Sequence, residues 1–123
     1  MENTKRMTAS MEDYLKAIYF LHKQDECIRL IDIADRMAVS KPSAHNAVLQ
    51  LSDMGLVEHP KFGPIRLTIQ GSELAKSLVS KHEVIKLFLM QTLDISEKLA
   101  IFEACVMEHS ICDITLAKMS QLV

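Results

Sequence analysis

Cys105, Glu108 and His109 stand at positions i, i+3 and i+4 of the run Ile101-Phe102-Glu103-Ala104-Cys105-Val106-Met107-Glu108-His109. At about 100° per residue, a helix puts these three side chains on one face, so a thiol, a carboxylate and an imidazole converge. Sulfur, oxygen and nitrogen donors in that arrangement suit a divalent transition-metal ion. A second reading makes Cys105 a redox thiol, with His82, Glu108 and His109 as a polar core cluster. A third makes the chain a metalloenzyme whose ion activates water, but no phosphate loop or nucleophile elbow supports it. A purely structural helical adaptor is the fourth.

The elements that position these residues are helical. Ser10 as N-cap with Glu12 and Asp13 behind it starts helix 1, whose apolar spacing at Met11, Tyr14, Leu15, Ile18 and Leu21 carries it to about His22 or Lys23. Taken alone, Asp13 is a carboxylate favoured by the helix dipole. Cys27-Ile28-Arg29-Leu30 reads as a short extended segment. Leu30, Ile33, Ala34 and Met37 predict helix 2 over about 31–37, and Ala38-Val39-Ser40 a tight turn.

Ser40 caps helix 3, Pro42 lies in its first turn and Gly55 closes it. Ala44, Ala47, Val48, Leu51 and Met54 form its apolar face, leaving Ser43, His45, Asn46 and Gln50 outside. A solvated helix face usually carries Lys and Glu. A polar but nearly uncharged face after a three-residue turn describes the recognition helix of a helix-turn-helix. Residues 56–59 and 65–68 then predict strands flanking Pro60-Lys61-Phe62-Gly63-Pro64, a hairpin wing. Lys41, Lys61 and Arg66 would meet phosphates, and Ser43, His45, Asn46 and Gln50 base edges.

Thr68 caps helix 4, with Gly71 in its first turn permitting close packing. Its stripe of Ala75, Leu78, His82, Ile85 and Leu89 contains one histidine, which by itself is a hydrogen-bonded core residue. Ser96 caps helix 5, containing Leu99, Phe102, Cys105, Val106, Glu108 and His109. A last helix over 113–122 offers Ile114, Leu116 and Met119. So much apolar surface on two small helices predicts a homodimer.

The net charge of −2 opposes indiscriminate polyanion binding, but residues 29–81 carry +2 and residues 82–123 carry −3, a basic middle beside an acidic, cation-binding third. Three irregularly spaced cysteines argue for reduced thiols rather than a disulfide framework. With no apolar run of 18 residues and no apolar segment behind Met1–Arg6, a cytoplasmic protein is expected.

Several stretches occur in a specific order: Ser10-Met11-Glu12-Asp13-Tyr14-Leu15, Asp53-Met54-Gly55-Leu56-Val57, Leu67-Thr68-x-x-Gly71, Lys81-His82-Glu83 and Cys105-x-x-Glu108-His109. Over residues 8–122 the chain resembles the iron-dependent diphtheria toxin repressor and manganese transport regulator family of metalloregulators. The resemblance implies a mainly α fold: a winged helix-turn-helix with a small β-hairpin wing over 1–70, then an all-α dimerisation and metal-binding domain over 71–123. It implies a metal site of Asp13, Cys105, Glu108 and His109, with His82 in or next to it. The function implied is a repressor whose operator binding is activated by Fe²⁺ or Mn²⁺, acting as a homodimer on a palindromic double-stranded DNA operator.

Three departures qualify it. Lys16 stands where manganese-type members carry a second carboxylate, which points to one principal ion per subunit. Lys86 and Ile101 occupy the positions from which iron-type members build an ancillary site. The chain ends at Val123, as expected of the short two-domain form. Asp13 and Glu108 favour hard ions and Cys105 with His109 softer ones, so Zn²⁺ or Co²⁺ should also bind in vitro.

Overall fold

The computed structural model describes residues 7–25, 27–61 and 63–123. The chain divides into two compact units, Met1–Lys76 and Ser77–Val123. In the first unit α1 (Ala9–Gln24), α2 (Leu30–Met37) and α3 (Lys41–Asp53) pack on one another, followed by the strands β1 (Val57–Glu58) and β2 (Arg66–Leu67). Leu15 and Ile18 of α1, Ile33 of α2 and Val48 and Leu51 of α3 are fully buried. Each such side chain contributes about 1.5–3 kcal/mol by leaving water.

Thr8, rather than the expected Ser10, caps α1. Its Oγ1 accepts from the Met11 N–H at 3.1 Å, and Ser10 falls inside the first turn. A cap two residues upstream gains a further helical bond, from the Glu12 N–H to the Thr8 carbonyl at 3.0 Å, while still satisfying an orphan donor. Before α2, the Arg29 N–H donates to the Asp32 carboxylate at 2.9 Å. The helix ends at Ala38 in the left-handed region, φ 56°, and Val39 N–H reaches back to the Ala34 carbonyl at 3.0 Å. An L-residue held there costs about 1–2 kcal/mol, which the packing of α2 and α3 across so short a turn must offset.

Ser40 caps α3 as its sequence predicts, accepting from the Ser43 N–H at 3.2 Å. The cap at the other end is Met54, and Gly55 takes the following left-handed position at φ 76°. The wing strands are shorter than expected: only Val57↔Leu67 and Glu58↔Arg66 pair, antiparallel. A third edge supports them, because Ile28 bridges Ile65 and its carbonyl accepts the Ile65 N–H at 2.9 Å. Phe62, at the expected hairpin tip, and residues 1–6 lie outside the described residues.

Thr68 joins wing, recognition helix and the start of α4 (Ile69–Gln91). Its hydroxyl donates to the Gly55 carbonyl at 2.6 Å and accepts from the Gly71 N–H at 3.0 Å, while its own N–H donates to the Leu56 carbonyl at 3.1 Å. Gly71 lies against that carbonyl so closely that a Cβ there would overlap it.

In the second unit, Ile85 and Leu89 of α4, Ala100 and Ala104 of α5 (Glu97–Met107) and Met119 of α6 (Asp113–Ser120) form a buried cluster. Phe88, Ile95, Met107 and Leu116 pack against it. Helix α5 stops earlier than its spacing predicts: Glu108 is its C-cap and His109 lies beyond, because the Ser110 and Ile111 N–H groups both turn back to the Met107 carbonyl at 3.0 Å. Ile114, expected as an apolar contact of the last helix, is 73% exposed; Leu116 and Met119 face the cluster instead. Phe102 and Val106 of α5 are 67% and 60% exposed, one helical turn apart.

Candidate metal centre and nucleic-acid interface

Glu108 is the buried charged residue around which the second unit's chemistry gathers. It is 1% exposed, and the fold holds its backbone at the α5 C-cap through a 2.9 Å bond from its N–H to the Ala104 carbonyl. Its Oε1 lies 2.9 Å from Nδ1 of His82, the one polar member of the apolar stripe of α4. Its Oε2 lies 3.7 Å from Nε2 of His109. One carboxylate thus links two imidazoles, each with little exposure, and all three side chains come from ends or stripes of helices that the apolar cluster holds in place.

Burying a carboxylate costs several kcal/mol unless partners or a cation offset it. A carboxylate and two imidazoles are oxygen and nitrogen donors that fit Mn²⁺, Fe²⁺ or Zn²⁺. Cys105, three residues earlier on α5, is exposed, so burial separates it from Glu108 where sequence spacing alone made them equivalent. Asp13 is the fifth residue of α1, just past the first turn in which the sequence predicts it because the cap is Thr8, and belongs to the other compact unit. Lys16 follows it on the same helix, and Lys86 pairs with Glu83 at 3.5 Å on α4.

The first unit carries the candidate nucleic-acid face. Lys41, Ser43, Asn46 and Gln50 are exposed along α3, and Arg66 is exposed on β2 opposite Glu58. Ser43 is partly committed to its own helix, since its hydroxyl accepts from Ser40 at 3.0 Å. His45 is half-buried because its ring meets His59 of the wing edge to face, centroids 5.7 Å apart and planes at 73°. A cavity of about 430 Å³ lies beside it, lined by Leu30, Lys41, Pro42, His45 and Asn46.

Sequence reasoning passed over His59 and Arg29. Neither lies on a periodic face, and only the folding of the wing onto the helix-turn-helix brings them beside α3 residues. Leu49 was also passed over, although it is 45% exposed one turn after His45 on the recognition helix.

Residues 6–63 match the family model described as iron dependent repressor, N-terminal DNA binding domain, and residues 68–123 that of the iron dependent repressor metal binding and dimerisation domain. An uncharacterised helix-turn-helix-type transcriptional regulator of Methanocaldococcus jannaschii is 34% identical over 114 residues, covering 92% of this chain and 91% of that protein. The transcriptional regulator MntR of Escherichia coli O6:H1 is 31% identical over 106 residues, 86% of this chain and 68% of that one.

Among solved structures, the manganese regulator SloR superposes with a TM-score of 0.80 at 38% identity, over 94% of this chain and 54% of its own. A manganese-dependent transcriptional repressor in complex with manganese superposes with a TM-score of 0.81 at 28% identity, over 91% of this chain and 51% of its own. The chain spans about half the length of these two structures. The matches confirm the winged-helix architecture with helical second domain and give no support to the redox reading of Cys105.

Proposed function

The chain belongs to the iron-dependent repressor family, and on that premise we propose that it is a metal-activated transcriptional repressor, binding a palindromic DNA operator as a homodimer in the cytoplasm. The observation that carries the metal half is the buried Glu108 carboxylate, placed between two imidazoles in the part of the chain matched to a metal-binding domain. Asp13, His82, Cys105, Glu108 and His109 are the proposed ligand set, for one principal Fe²⁺ or Mn²⁺ per subunit. Relatives named for manganese, and one solved with manganese, support that choice.

A bound divalent ion would supply positive charge that several donors share. Glu108 would then share its desolvated charge with the ion as well as with its imidazole partners, His82 and His109 would be held in one orientation, and Asp13 would contribute a donor from α1. Because this set draws on both halves of the chain, ligation biases the population of arrangements toward one in which two recognition helices reach successive major grooves, about 34 Å apart. On the DNA side His45, Asn46 and Gln50 would read base edges with Ser43, while Lys41, Lys61 and Arg66 hold phosphates. Residues 1–70 are the DNA-binding domain in this reading and 71–123 the dimerisation domain, with the exposed Phe102 and Val106 turned to the second subunit.

The proposed role is regulatory and not enzymatic: the family consists of transcriptional regulators, and five protein ligands leave little room for a substrate. No described helix is long and apolar enough to cross a membrane. A mobility-shift titration against an inverted-repeat operator selected from a random pool tests the mechanism. Added Fe²⁺ or Mn²⁺ should tighten binding by at least tenfold over chelator, with sedimentation reporting a dimer. Equal affinity in both conditions would refute it.

A further inference from the structure

Two concavities in the first unit, of about 310 and 300 Å³, share Arg29 and Gly63 in their walls. Lys61 lines the first, and Lys41 and His59 line the second. They lie where the extended segment before α2, the N-terminus of α3 and the base of the wing meet. Among the described residues no carboxylate lines either one.

Among the described residues, the two acids that flank this segment in sequence are engaged in local bonds. Asp25 accepts the Cys27 N–H at 2.9 Å, Asp32 accepts the Arg29 N–H at 2.9 Å, and both line a different cavity with Leu21 and Gln24. Among the described residues, the segment 27–29 therefore has Asp25 and Asp32 in a cavity on one side and the basic concavities on the other. Its middle residue, Ile28, is buried and pinned to Ile65 of the wing. That pinning fixes Arg29 beside the wing instead of leaving it on a free loop.

We propose that Arg29, with Lys41, His59 and Lys61, forms a seat for a DNA backbone phosphate at the junction of recognition helix and wing. The proposal rests on the DNA-binding reading above and adds a residue to it. A guanidinium donates two parallel hydrogen bonds to phosphate oxygens, which a lone ammonium cannot, so Arg29 sets the register of the strand while the lysines supply charge. His59 lines the second concavity and its ring meets that of His45 edge to face, so the phosphate seat and the base-reading face share a side-chain contact. Backbone positioning and base readout are coupled there.

The test is the salt dependence of binding by the metal-loaded full chain to a mixed-sequence DNA duplex, read by fluorescence anisotropy. Each phosphate contact contributes about 0.9 to the slope of log K against log salt. Arg29→Ala should lower the slope by about 0.9 per protomer, so that its affinity between 50 and 200 mM salt falls about threefold less per protomer than the wild type's. Arg29→Lys should restore most of the slope. Arg29 is exposed, so both variants should keep the wild-type unfolding midpoint.

A wild-type slope in Arg29→Ala overturns the seat; if Lys41→Ala lowers its slope in the same experiment, the DNA-binding reading survives that failure. A lowered slope that Arg29→Lys does not restore overturns the charge assignment. A wild-type chain without salt-sensitive duplex binding overturns the DNA-binding reading, and the seat with it.

Discussion

Replacing Glu108 by leucine should separate metal binding from folding. The carboxylate is 1% exposed, 2.9 Å from His82 Nδ1 and 3.7 Å from His109 Nε2. Its desolvation costs several kcal/mol, and imidazole partners offset this only in part. Leucine has a similar volume and no charge to desolvate. His82 and His109 keep side-chain exposures of 20% and 12%, so water can still reach them. In chelator the variant should therefore unfold within about 1 kcal/mol of the wild type, or above it.

With Mn²⁺ at a hundredfold its dissociation constant, the wild type should gain about 2.7 kcal/mol. At roughly 4 °C per kcal/mol for a chain of this size, that is a rise of about 10 °C in Tm. Glu108→Leu should lose most of the rise while keeping its midpoint in chelator. Differential scanning calorimetry of both proteins, each with chelator and with Mn²⁺, gives the four values needed. A variant that keeps the full Mn²⁺ rise shows that Glu108 is not a ligand. One that collapses equally in both conditions shows that the carboxylate is structural, and either result refutes the reasoning.

Helix propensity alone would favour Gly71→Ala by about 1 kcal/mol, but the new Cβ would overlap the Leu56 carbonyl oxygen and stand 2.8 Å from its carbon. Since that carbonyl is backbone and already accepts from Thr68, the expected outcome is a loss of about 3 kcal/mol, measured by urea unfolding; a gain would show that the wing moves freely. Cys112 lies at the N-cap of α6, where the Thr115 hydroxyl, 3.4 Å from Sγ, holds the thiol below its usual range. A lowered thiol gives more thiolate at any pH beneath its titration, so in Thr115→Val the pH profile of Cys112 alkylation, resolved by peptide mass spectrometry, should move to higher pH. Superimposable profiles would remove the hydroxyl as the cause.

The sequence by itself determined the elements and the kinds of chemistry. Periodic apolar residues specify which face of each helix is buried, and that information is local: Ala44, Val48 and Leu51, or Ile85 and Leu89, read correctly before any fold is known. Ser40, Thr68 and Ser96 were legible as caps for the same reason, since a cap bonds a backbone group three residues away. The ordered motifs around His82 and Cys105-x-x-Glu108-His109 were enough to identify the family.

Only the tertiary structure decided how donors on one stretch divide. Cys105, Glu108 and His109 looked equivalent by spacing, yet α5 ends at Met107, Glu108 is sealed beneath two imidazoles and Cys105 is left exposed. Helical spacing reports an angle around an axis; it does not say where the axis stops or how deep each side chain lies. The same limit hid Arg29 and His59. Their meaning comes from the pairing of Ile28 with Ile65 and the ring contact of His45 with His59, both between residues distant in sequence. Contacts of that kind form when separate elements bury their apolar faces together, and no local pattern records them.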